Sequence, residues 1–143
     1  MIRLIQRLLL RGLCLTLLAL GPARAESSLY QDLGGQDGVT AIADGMIDNA
    51  LVDDRIKAVF DDINLPRLKR LIALQFCSLT GGGCDYKRRS MKDTHAGLGL
   101  RDSDFNALVE DLEAAMDQRD IPWTTQARLL AILAPMERDI VTK

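Results

Sequence analysis

Glycine and proline cut this chain into short pieces, and within the pieces the apolar residues recur at helical spacing and never at the period of two that marks a strand. Ser28–Leu33 ends at Gly34-Gly35, a pair suited to stopping one helix and turning into the next. Val39, Ile42, Ala43, Met46, Ile47 and Ala50 then share one face of a helix of about four turns. A brief helical piece is expected at Arg55–Phe60. Asn64 suits a helix N-cap and Pro66 its first turn, with Leu65, Leu68, Ile72, Phe76 and Leu79 on one side before Gly81-Gly82-Gly83. Cys84–Ser90 reads as a loop. A short helix follows with Met91, His95 and Leu98 on one face, ended by Gly97 and Gly99. Asp102 or Ser103 caps a long amphipathic helix that buries Phe105, Leu108, Val109, Leu112, Ala115 and Met116. Pro122 opens the last helix, with Leu129, Leu130, Ile132 and Leu133 as its apolar run, and Pro135 kinks or ends it. The expectation is an all-α domain of four substantial helices and several short ones.

The first residues follow a different logic. Met1–Leu20 carries Arg3, Arg7 and Arg11 and no acidic residue, runs through the apolar stretch Leu13–Leu20, and breaks at Gly21-Pro22 before Ala23-Arg24-Ala25. This is the pattern of a cleavable signal peptide over 1–25, with the domain over 26–143 and a periplasmic or secreted destination. The alternative is a retained anchor, but the apolar stretch is shorter than the roughly 20 residues a membrane span needs. Leu13 precedes Cys14 where a lipoprotein needs a small residue, and no Arg-Arg pair marks a twin-arginine route. Cleavage removes four arginines and leaves 14 basic against 20 acidic residues, a net charge of −6. Such a balance excludes nucleic acid and anionic membrane as partners, and no stable membrane insertion is expected after cleavage.

Cys77 and Cys84 remain in the mature chain. Neither CxxC nor CxxCH occurs, which on sequence grounds excludes covalent attachment of haem. The intervening residues end in three glycines, so the chain can fold back, and in an oxidising compartment the spacing predicts a disulfide. Two free thiols are the alternative.

His95 is the only histidine. A lone histidine on an apolar helix face is ordinarily core, and with no Asp, Glu or Cys cluster beside it a conventional zinc site is excluded. Haem is not, because the porphyrin supplies four ligands and the protein need supply one. Met91 and Leu98 give this imidazole an apolar face, and the glycines that end its helix let backbone approach a flat ligand.

The order of LGGQDG (33–38), AVF ending in Phe60, TGGG (80–83) and YKRRSMKDTHAGLGL (86–100) resembles the group 1 truncated haemoglobins, ungapped from about Ser28 to Val141. The resemblance implies a two-on-two helical sandwich around non-covalent haem b, with His95 as the proximal iron ligand and Phe60 packed on the haem face. It puts Tyr86 and Arg89 where the family binds a propionate, although for Arg89 a solvated loop charge competes. Phe76 falls at a gate on an apolar gas tunnel, with plain core packing as the competing reading. Many relatives carry tyrosine on the second helix and glutamine on the distal helix. Here those positions are Ile47 and Ile72, with Leu68 between them. Gln75 lies about 60° off the Leu68–Ile72–Phe76 stripe and is taken as peripheral. Met46 could offer sulfur to iron, but core packing suits it better. The function implied is reversible binding of dioxygen, carbon monoxide or nitric oxide at an open iron position, served by an unidentified reductase. A nitric oxide dioxygenase or peroxidase is the enzymatic alternative, and a haem-free helical interaction module the third.

Overall fold

Ser28 opens the first helix, α1 (Leu29–Asp32), its hydroxyl accepting from the Gln31 amide at 3.3 Å. The computed structural model describes residues 28–143, so the expected signal peptide lies outside the described residues. Gly34 then turns the chain with φ +90°. α2 follows at once (Gly35–Ala50), so close to α1 that a Cβ on Gly38 would stand 1.8 Å from the Leu33 carbonyl oxygen. The expected helical piece near Phe60 is a 3-10 turn, Lys57–Phe60. Asn64 caps α3 (Leu65–Leu79), accepting from the Arg67 amide at 3.0 Å, and Pro66 sits in its first turn as expected. After the 84–90 loop come α4 (Met91–His95), α5 (Asp102–Asp117) and α6 (Trp123–Leu133). Pro135 ends α6, turning Ala134–Met136 into a 3-10 segment before α7 (Glu137–Ile140). No strand occurs among the described residues.

Two local expectations need correction. α4 stops at His95 because Ala96 leaves helical geometry with ψ 130°, so Leu98 is not on its face and is 51 % exposed. α5 begins one residue earlier than expected: Arg101 is extended, its backbone N–H donates to Asp104 Oδ2 at 2.9 Å, and Asp102 is already helical.

α2 is the centre of the molecule, packed along α3 on one side and α5 on the other. Val39, Ile42, Ala43, Ile47 and Ala50 are fully buried there. Burial of each isoleucine or valine stabilises by roughly 1.5–3 kcal/mol before chain entropy is counted. Gly45 permits the close crossing with α5, where a Cβ would meet that of Ala115 at 3.2 Å. α6 closes the second pair against α5 through the buried Leu129 and through Gln126, whose amide donates to the Ile121 carbonyl at 2.8 Å and to Asp117 Oδ1 at 2.7 Å. α2 with α3 and α5 with α6 thus form two helical pairs. α4 stands apart: it packs chiefly against α7, and neither helix has a buried residue. Cys77 and Cys84 are disulfide-bonded with Cα atoms 5.7 Å apart, within the span such a bond requires.

Candidate functional site

Two apolar cavities of about 220 and 200 Å3 lie between α3, α4 and α5. Phe60, Leu68, Thr94, His95, Phe105 and Leu108 line both, so the space is one elongated cleft with the imidazole along its length. His95 is brought there as the last residue of α4, a helix held by a reciprocal cap. Ser90 Oγ accepts from the Asp93 amide at 3.0 Å and donates to Asp93 Oδ2 at 2.8 Å. His95 Nδ1 lies 2.8 Å from the Met91 carbonyl oxygen. A carbonyl can only accept, so Nδ1 carries a proton, and Nε2 is the nitrogen left to act as a ligand. That is the arrangement a metal-binding imidazole needs, with the backbone acceptor as the orienting partner for its other nitrogen.

Across the cleft stand Met46 and Ile47 from α2 and Leu68, Leu71, Ile72 and Phe76 from α3. Of the residues singled out from sequence, Ile47, Phe60, Leu68, Ile72, Phe76, Tyr86, Met91 and His95 therefore share one wall system. Burial pushes the Tyr86 phenol above its ordinary pKa, against the opposing charge of Arg88, so it remains a neutral donor. Arg89 does not join them: it is exposed and lines neither cavity. Gln75 is in the wall, contrary to the peripheral place expected of it, because its long side chain spans the 60° that separates its Cα from the apolar stripe. Its amide donates to the thioethers of Met91 at 3.6 Å and Met136 at 3.7 Å. Phe105, Leu133, Met136 and Ile140 complete the cleft. Periodicity marked Phe105 and Leu133 as apolar faces but could not assign those faces to a site, and Met136 and Ile140 lie beyond Pro135 in a segment with no pattern to read.

A family model of the bacterial-like globins matches residues 28–142. The chain is a bacterial-like globin. A group 1 truncated haemoglobin of Synechocystis is 33 % identical over 124 residues, spanning 82 % of this globin and 99 % of the relative. One from Tetrahymena thermophila is 30 % identical over 95 residues, spanning 66 % of this chain and 78 % of the other. The solved ferric truncated haemoglobin of Tetrahymena pyriformis superposes with a TM-score of 0.78 at 22 % identity, covering 82 % of this chain and all of that one. The 2/2 haemoglobin of Synechococcus, described with covalently attached heme, gives 0.76 at the same identity and coverage. The fold of this globin is the two-on-two sandwich.

Haem is the cofactor of globins, and the cleft fits it on its own evidence. The walls are apolar, as a porphyrin face requires, and the one imidazole has Nδ1 committed to a backbone acceptor, which leaves Nε2 for the iron. Among the described residues no cluster of His, Cys, Asp or Glu competes for metal. With no CxxCH segment in the chain, the globin holds haem without a thioether bond.

Proposed function

We propose that this globin takes up a diatomic gas on the Ile47–Leu68–Ile72 side of the cleft, with His95 as the iron ligand on the other, and that it retains dioxygen less well than carbon monoxide or nitric oxide. The haem iron supplies the coordination position at which a gas is held; the protein supplies the axial nitrogen, the orientation and a dry wall. The observation that carries this reading is the composition of the distal wall. α2 offers Met46 and Ile47, α3 offers Leu68, Leu71 and Ile72, and the carboxamide of Gln75 is directed at two sulfur atoms. None of these presents a strong donor to the gas. Dioxygen in a ferrous globin draws negative charge and gains about 1.5–3 kcal/mol from a charge-assisted hydrogen bond. Carbon monoxide stays nearly neutral and gains much less.

Stopped-flow displacement of dioxygen from the ferrous protein tests the reading. The missing bond corresponds to loss roughly ten- to a hundred-fold faster than with a tyrosine donor, and Ile47→Tyr is expected to recover much of it. Slow loss from the unaltered protein, or no slowing in the variant, refutes the reading and turns attention to Gln75. The Cys77–Cys84 bond suits an oxidising compartment. It supports, as part of the same proposal, export directed by residues 1–25.

A further inference from the structure

We propose that the Cys77–Cys84 bond is a site of thiol–disulfide exchange with a dithiol reductant, and that its reduction loosens the grip of the cleft on haem. The proposal rests on the haem-binding reading of the cleft and adds a chemical control to it.

The bond joins the two walls of the site at their shared end. Phe76 and Gln75, immediately before Cys77 on α3, line the cleft, and so does Tyr86, two residues beyond Cys84. From Tyr86 the chain runs directly into α4 and His95. Because α4 is five residues long and buries none of them, its position depends on its packing against α7, its Ser90 cap and the loop that delivers it. Without the bond that loop hangs from Gly81-Gly82-Gly83, three successive residues with no side chain to restrict the backbone.

The surroundings of the bond are asymmetric. Cys77 is wholly buried in the core, whereas Cys84 is half-exposed, with its sulfur 3.9 Å from Gln36 Oε1. A thiolate of the reductant therefore attacks Cys84 Sγ. The S–S bond breaks, its electron pair leaves on Cys77 Sγ, and that sulfur takes a proton, since an unpaired charge in the core is costly. The second thiol of the reductant then displaces Cys84 from the mixed disulfide and leaves as the cyclic or protein disulfide. Two electrons and two protons pass to the globin, and the freed Cys84 thiol has the Gln36 carbonyl as an acceptor. Gly82 shows how closely the bond is packed, since a Cβ there would stand 2.5 Å from Cys77 Sγ and 2.7 Å from the Tyr30 ring.

The test measures haem transfer from the full chain, loaded with ferric haem, to excess apomyoglobin. It is run on the oxidised protein, after dithiothreitol, after reoxidation with diamide, and on the Cys77→Ser, Cys84→Ser double variant. Transfer at least about tenfold faster after reduction, restored by diamide, is the expected result. The double variant should transfer fast and ignore dithiothreitol, which separates the protein disulfide from any effect on iron; retained helicity in the far ultraviolet shows that it folds. Equal rates for oxidised and reduced wild type, both showing the haem band, overturn the exchange proposal alone. Absence of a haem band in either state overturns the haem-binding reading and this proposal with it.

Discussion

At the scale of single residues, His95 and Asp111 make opposite demands on their surroundings. His95 is satisfied: Nδ1 has a backbone acceptor, and the residue lines the cleft. His95→Ala is expected to abolish stable haem retention, with free imidazole restoring part of the optical spectrum; an unchanged five-coordinate ferrous spectrum would contradict the assignment. Asp111 is unsatisfied. It is buried on α5, its Oδ2 has no partner, and burial followed by the charge of Asp53 raises its pKa, with Arg55 opposing. A carboxyl whose folded pKa is raised binds its proton more tightly in the folded state. Its contribution to stability is therefore complete below the unfolded value near 3.9 and is lost as pH rises through the folded one. Asp111→Asn should raise stability by about 1 kcal/mol at neutral pH and by nothing near pH 3, measured by urea unfolding at both. The histidine was legible in the sequence because it stands alone on an apolar face. Asp111 was not, since helical periodicity places it beside Leu112 without saying how far solvent reaches.

At the scale of elements, the long helices were legible and the short ones only in part. α2, α3 and α5 span enough turns for their apolar stripes to show, and Asn64 and Pro66 marked the start of α3 correctly, whereas the cap of α5 was expected one residue too late. Asn64→Ala is expected to cost about 1 kcal/mol by removing the acceptor of the Arg67 amide, read as a lowered urea midpoint with unchanged slope. α4 carries little more than one turn, so no period exists to say where it stops; Leu98 was placed on it because the spacing continued while the backbone did not. The wall formed by α2 and α3 was read from sequence as apolar, and Ile47, Leu68 and Ile72 line the cleft. What the pattern missed there is reach. A glutamine side chain is long enough to enter a cleft from a position that a helical projection assigns to its margin. Arg89 is exposed and lines neither cavity, so its place in the motif remains the ground for its expected role.

At the scale of the whole molecule, the buried core and the helix that carries His95 are built from different parts. Buried residues concentrate in α2, α3, α5 and α6, whereas α4 and α7 have none. Removing haem is thus expected to leave α2 and α5 strongly protected in amide hydrogen exchange while amides across 86–95 become fast. Uniform loss of protection across the chain would show instead that haem organises the core. The position of the C-terminus belongs to the same arrangement, since the Thr142 and Lys143 amides both donate to the Leu100 carbonyl, at 2.9 and 3.1 Å, just beyond α4. The separation sets an order of assembly. A chain built in this way is expected to complete most of its hydrophobic interior with no porphyrin at hand and to settle α4 when one arrives. Maturation would then happen wherever, and whenever, free haem is first met.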